Sequence, residues 1–123
     1  MKAIVVDDSK AMRMILARSL RALGFDVEEA GDGRQALDKL ATIDAPDLAL
    51  VDWNMPEMNG LELVRAMRAE SRLAAMRVMM VTTETEISHV TQALESGADE
   101  YVMKPFTADA IREKLALLGF SLG

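Results

Sequence analysis

The chain has no cysteine, one histidine, one tryptophan, one tyrosine and three phenylalanines in 123 residues. The missing cysteines exclude a disulfide framework, a thiol nucleophile and any Cys-based zinc site. The lone histidine, His89, leaves no metal cluster or triad to build, and its polar neighbours make it a surface residue. No apolar run is long enough to span a bilayer. The start, Met1 to Asp7, lacks the apolar stretch and small-residue cleavage site of a signal peptide. Positive charge is also short: 14 Lys and Arg stand against 20 Asp and Glu, for a net charge of −6. A negative surface is repelled by phosphate backbones and anionic lipid, so neither nucleic acid nor membrane is an expected partner. With few aromatics to fill a core, the ten methionines read as gap-fillers, with Met1 as initiator. What remains is ordinary globular composition, expected to form one domain over 1–123, monomeric and cytoplasmic.

Two periodicities alternate along that domain. Ala3-Ile4-Val5-Val6 is a short apolar run ending in Asp7 and Asp8, the pattern of a strand buried on both faces. A helix follows, capped by Ser9, with Met12, Ile15, Leu16, Leu20 and Leu23 on one face and Gly24 as its stop. Phe25 to Ala30 reads as a second strand, and Asp32-Gly33 turns into a helix carrying Ala36, Leu37, Leu40 and Ile43. Asp47 to Val51 is a third strand, apolar until Asp52. A loop from Trp53 to Gly60 then leads to a helix marked by Leu61, Val64 and Met67. Arg77 to Val81 is the fourth strand, followed by a helix with Ile87, Val90 and Leu94. Glu100 to Met103 is the fifth strand, and Ile111, Leu115 and Leu118 line the last helix.

Five strands alternating with five helices call for an α/β fold with a doubly wound parallel sheet covered on both faces. The flavodoxin-like strand order 2-1-3-4-5 fits best, and ligands of such sheets sit at the carboxyl ends of the strands. The polar residues fall at those ends: Asp7 and Asp8 after strand one, Asp52 after strand three, Thr82 after strand four, Lys104 after strand five. Three carboxylates in one crevice repel each other, and a hard divalent cation such as Mg²⁺ relieves the repulsion. An Asp forms a covalent phosphoryl adduct when charge on the transferred group is neutralised. Lys104 offers a cation for this and the Thr82 hydroxyl a hydrogen bond. Read one at a time, the same residues are a turn, a strand-end hydroxyl and a surface lysine. Their joint placement at strand ends favours the site.

The stretches Val5-Val6-Asp7-Asp8-Ser9, Asp52-Trp53-Asn54-Met55-Pro56, Val81-Thr82 and Tyr101-Val102-Met103-Lys104-Pro105-Phe106 closely resemble the receiver domains of bacterial two-component response regulators, particularly single-domain chemotaxis regulators. The resemblance covers essentially the whole chain. It implies that Asp52 accepts a phosphoryl group from a histidine kinase, CheA-like in the chemotaxis case. One Mg²⁺ is held by Asp8, Asp52 and the Asn54 carbonyl, with Asp7 acting through water. Lys104 contacts the phosphoryl group and precedes a cis peptide bond to Pro105. Thr82 moves toward the phosphoryl group and Tyr101 turns inward. Asn54, Thr83 and Glu84 occupy positions that tune the lifetime of the adduct, and Thr83 departs from the more usual alanine. Val90, Tyr101, Met103 and Lys114 lie on the face that carries the signal to a protein partner, a flagellar motor switch in the chemotaxis case. With only Gly119 to Gly123 after the last helix, no output domain is expected within this chain. Alternatives stay open: a phosphorelay intermediate, an Asp-nucleophile phosphatase or a flavin carrier. The phosphatase pattern places its nucleophile after the first strand and a second Asp two residues on, where this chain has Asn54. A flavin phosphate needs amide donors, which an acidic crevice does not supply.

Overall fold

A computed structural model describes residues 1–55, 58–83 and 88–122. The elements follow in the order β1 (Lys2–Val6), α1 (Lys10–Ala22), β2 (Asp26–Ala30), α2 (Gly33–Leu40), β3 (Leu48–Asp52), α3 (Gly60–Arg68), β4 (Arg77–Thr82), α4 (Val90–Glu95), β5 (Glu100–Met103) and α5 (Ala108–Leu117). A short 3-10 turn, Ser71–Leu73, lies between α3 and β4. The five strands form one sheet in the order β2-β1-β3-β4-β5, every neighbouring pair parallel. This is the expected order.

Alternation along each strand sends successive side chains to opposite faces, and both faces are dry. Ile4, Val6, Ala49, Val51, Val78 and Met80 point to one face, where Ala36 and Leu40 of α2, Leu63, Val64 and Met67 of α3, and Ala93 of α4 cover them. Ala3, Val5, Leu48, Leu50, Met79 and Val81 point to the other, under Leu16 and Leu20 of α1 and Ile111 and Leu115 of α5. β1 and β3 are apolar throughout their buried length because they lie inside the sheet. β2, at the edge, shows the mixed burial of a half-covered strand.

Helix starts follow local chemistry. Ser9, Asp32, Asn59 and Thr107 each accept a backbone N–H of the first turn, at α1, α2, α3 and α5. Asn59 and Glu62 complete a capping box on α3. α1 stops at Gly24, whose φ of 98° is the left-handed conformation glycine adopts without strain.

Three apolar assignments are corrected. Ile15 is 51% exposed and Leu94 41% exposed, because the buried stripes of α1 and α4 run through Leu16–Leu20 and Val90–Ala93 and leave these two beside them. Ile43 lies beyond α2, which ends at Leu40; it packs on the core from the following loop. Ile87 lies outside the described residues. Phe25 and Asp47 precede their strands by one residue, although Phe25 is buried.

Gly60 matters for the site. Its N–H donates to the Trp53 carbonyl at 3.0 Å, drawing the start of α3 against the end of β3. A Cβ there would stand 2.8 Å from the Asp52 carbonyl oxygen, 3.0 Å from the Trp53 Cα and 2.7 Å from the Met80 methyl. Two of those neighbours are backbone and cannot turn aside. Gly60→Ala is therefore expected to lower stability by about 1–3 kcal/mol in urea unfolding. Wild-type stability in that variant would mean the loop between β3 and α3 accommodates the methyl.

Candidate functional site

The carboxyl ends of β1, β3, β4 and β5 converge, and the ladders of β1, β3 and β5 continue one residue past the strand. The Asp7 N–H donates to the Ala30 carbonyl at 3.1 Å, Trp53 N–H to Val81 at 3.1 Å and Lys104 N–H to Thr82 at 2.7 Å. Residues at these positions are thus held by backbone rather than hung on loops. β1 and β3 are adjacent while their connections leave on opposite faces of the sheet, which makes their common end the switch point of the topology.

Asp7, Asp8 and Asp52 meet there, each offering a carboxylate oxygen, and those oxygens lie within 4.8 Å of one another. Asp7 is fully buried and Asp52 is 4% exposed, whereas Asp8 faces solvent. Lys104 Nζ lies 3.2 Å from Asp52 Oδ1 and 3.8 Å from Asp7 Oδ2. Burial pushes the Asp52 carboxyl up to about 6. The charge on Asp7 acts in the same direction, and the Lys104 ammonium opposes both. Asp7 is also raised, mainly by burial, against the pull of its hydrogen bond from the Ser9 N–H.

One Asp7 oxygen accepts that N–H at 2.9 Å; the other, Oδ2, is buried and makes no hydrogen bond. An orphaned carboxylate oxygen is costly, and this one sits among further carboxylates. That donor set, oxygen only and rich in negative charge, fits a hard cation such as Mg²⁺.

Thr82 is buried at the end of β4, one register step beyond the Asp52–Val81 pair, and its hydroxyl donates to the Thr83 carbonyl at 3.3 Å. The peptide bond from Lys104 to Pro105 is cis, as the resemblance implies. Tyr101 is half-buried, packs against the core cluster that contains Trp53, and lies under the Lys114 ammonium, 4.7 Å from the ring centroid. Lys114 also bonds Glu100 at 3.2 Å. Asn54 is exposed beside Asp52, and Met103 is half-buried on β5. Val90 is 7% exposed, so its side chain belongs to the interior. Glu84 and Pro56 lie outside the described residues.

Sequence reasoning passed over two residues here. Arg13, on the first turn of α1, donates from Nη1 to the Asp7 carbonyl at 2.8 Å and pairs with Glu29 at 3.3 Å, so it braces the backbone that carries the acidic pair. Its signal was faint: an arginine between Met12 and Met14, on the helix that Asp7 and Asp8 precede. His89 is exposed as expected and stands at the residue before α4 without a side-chain capping bond, but its ring stacks on Trp53, which the sequence did not suggest.

The sheet order and this cluster define a receiver-type α/β protein. Residues 3–116 match the response regulator receiver domain, and the chain belongs to that family. Among its relatives is a chemotaxis protein CheY homolog of Campylobacter jejuni, 47% identical over 94% of this chain and 89% of that protein. Helicobacter pylori chemotaxis protein CheY1 is 44% identical over 96% of both. The solved structure of Vibrio cholerae chemotaxis protein CheY4 superposes with a TM-score of 0.87 at 34% identity, covering 94% of this chain and 96% of that one. Among the described residues no helix is long and apolar enough to cross a membrane.

Proposed function

We propose that this chain is a cytoplasmic, chemotaxis-type phosphorylation switch in which Asp52 accepts a phosphoryl group from a histidine kinase. The observation that carries this reading is the Asp52 carboxylate held 3.2 Å from Lys104, among carboxylates that include an orphaned Asp7 oxygen. A bond forms between an Asp52 oxygen and phosphorus while the bond from phosphorus to the donor breaks. Asp7, Asp8, Asp52 and the Asn54 carbonyl would hold one Mg²⁺, which supplies neutralisation of the phosphoryl oxygens when bound. Lys104 keeps Asp52 ionised, because its ammonium opposes the upward push of burial. Once Asp52 carries the phosphoryl group as an acyl phosphate, the same ammonium is left to pair with the phosphoryl oxygens. Thr82 offers a hydroxyl to another phosphoryl oxygen, and Asn54, Thr83 and Glu84 set how readily water reaches the adduct.

The output is a change of protein contact. Tyr101, Met103 and Lys114 line one face over β5 and α5, and Val90 contributes from beneath it. The adduct biases two pre-existing arrangements of this face through Thr82 and Tyr101. By likeness to the CheY relatives, the partners are a CheA-like kinase and a flagellar motor switch. The chain modifies itself and turns over no free substrate.

Intact mass after incubation with Mg²⁺ and acetyl phosphate tests the reading. One phosphoryl group is expected, lost with chelator and absent from Asp52→Asn; no adduct, with no Trp53 fluorescence response to beryllofluoride, would sink it. Lys104→Met is expected to slow uptake by about 10–100-fold and to move the acid limb of the pH–rate profile upward, because the ammonium that favours ionised Asp52 is gone. An unchanged limb would show that Lys104 does not set the charge of Asp52.

A further inference from the structure

Trp53 is held at both ends. Its N–H donates to the Val81 carbonyl at 3.1 Å and its carbonyl accepts from Gly60 at 3.0 Å. The residue is 8% exposed, within the cluster that includes Val51, Val64 and Ala93. The ring next to Asp52 is therefore a fixed wall.

His89 leans on that wall. The two rings lie 5.0 Å apart between centroids with planes inclined by 18°, a stacked pair. His89 is itself exposed, so burial does not hold it there; the ring contact orients it. His89 immediately precedes Val90, the first and buried residue of α4. The start of α4 is thus fixed at two adjacent points, Val90 in the core and His89 on Trp53. Trp53, on whose ring His89 stacks, is hydrogen-bonded through its backbone to β4 at Val81, the residue before Thr82, so the stack joins the start of α4 to the strand ends that form the site.

We infer that His89 is a positioning residue of the switch: its stack on Trp53 holds the start of α4 in the unphosphorylated arrangement and so opposes occupation of the Asp52 site. This rests on the reading of Asp52 as phosphoacceptor. A contact made in one state weakens every ligand that selects the other, by the differential energy of that contact. An aromatic pair of this kind corresponds to roughly two- to tenfold in affinity. Phenylalanine preserves a stacking ring at this position and alanine does not.

The test compares wild type, His89→Ala and His89→Phe by two measurements. The first is acrylamide quenching of Trp53 in the unliganded protein. The second is the affinity for beryllofluoride with Mg²⁺, followed by fluorine NMR. His89→Ala is expected to open Trp53 to the quencher and to bind beryllofluoride about two- to tenfold more tightly; His89→Phe is expected to return both toward wild type. The inference is overturned if His89→Ala exposes Trp53 but leaves the affinity unchanged or weaker, or if His89→Phe binds as tightly as His89→Ala. Unaltered quenching in His89→Ala overturns it too, because the ring then does not cover Trp53 in solution. Absence of beryllofluoride binding by the wild type strikes the phosphoacceptor reading instead, and this inference falls with it.

Discussion

Asp52→Asn is expected to stabilise the metal-free protein at neutral pH by about 1–3 kcal/mol while abolishing phosphoryl uptake. The Asp52 carboxyl is raised on folding from 3.8 to about 6, by burial first and the Asp7 charge second. Between those values the folded protein holds a proton that the unfolded chain has released. Stability therefore falls as pH rises through that window, and at neutral pH the whole cost of the buried charge is present. The side chain is 5% exposed, so solvent screens little of it. The asparagine amide keeps the shape and removes the charge. Urea unfolding in chelator, at pH 7.5 and at pH 4, checks this: the variant should be the more stable at pH 7.5 and the difference should shrink at pH 4. A difference of the same size at both values would show that packing, not charge, separates the two proteins. Mg²⁺ should narrow or reverse the gap, since only the wild type offers three carboxylates, and a ligand of the folded state stabilises it by mass action. The native site thus gives up stability to keep an acid where a phosphoryl group can reach it.

The arrangement of that site was legible because the sequence marks strand ends with charge. Ala3 to Val6 and Leu48 to Val51 are apolar without interruption, so Asp7, Asp8 and Asp52 stand out as the residues where buried strands emerge. Parallel strands put all such ends on one side of the sheet, and from that the carboxylate cluster follows. The sequence was less informative where periodicity is loose. Ile15 fits an apolar helical pattern as well as Leu16 does, and only the position of β2 and α5 decides which of them is covered. It was silent on pairings between distant polar side chains. Arg13, Arg68 and His89 are residue types that usually face water. Nothing local says that Arg13 turns back to the Asp7 carbonyl or that His89 finds a ring thirty-odd residues earlier.

Arg68 is the case with the larger energetic consequence. Its guanidinium lies at the far end of the sheet from the acidic cluster, and it is only 19% exposed. Nε donates to the Gly97 carbonyl at 2.9 Å, Nη1 to the Leu73 carbonyl at 3.0 Å and Nη2 to Asp99 Oδ2 at 3.0 Å. The same Asp99 oxygen accepts the Val78 N–H at 2.8 Å. One side chain therefore ties the end of α3 to the 3-10 turn, to the connection from α4 to β5 and, through Asp99, to the start of β4. Gly97 fits this clamp twice over. Its φ of 118° disfavours a side chain, and a Cβ would stand 2.5 Å from Arg68 Cγ.

Arg68→Ala takes a donor from Asp99 and from two carbonyls in a partly buried site, and leaves Asp99 the Val78 N–H and the Arg77 guanidinium 3.7 Å away. Removing one partner of a partly buried ion pair costs more than replacing the pair, because the remaining charge keeps part of its desolvation penalty. A loss of about 2–4 kcal/mol is expected, a large fraction of the stability of a domain this size. Arg68→Lys should recover only part of it, because an ammonium cannot serve three separate acceptors in a planar fork. A double-mutant cycle with Asp99→Ala isolates the pair from the carbonyl bonds. Phosphoryl uptake by the folded fraction should be unchanged, since the clamp and the acidic cluster lie at opposite ends of the strands. A loss under about 1 kcal/mol, as for an exposed pair, would mean that water reaches the clamp and replaces the guanidinium.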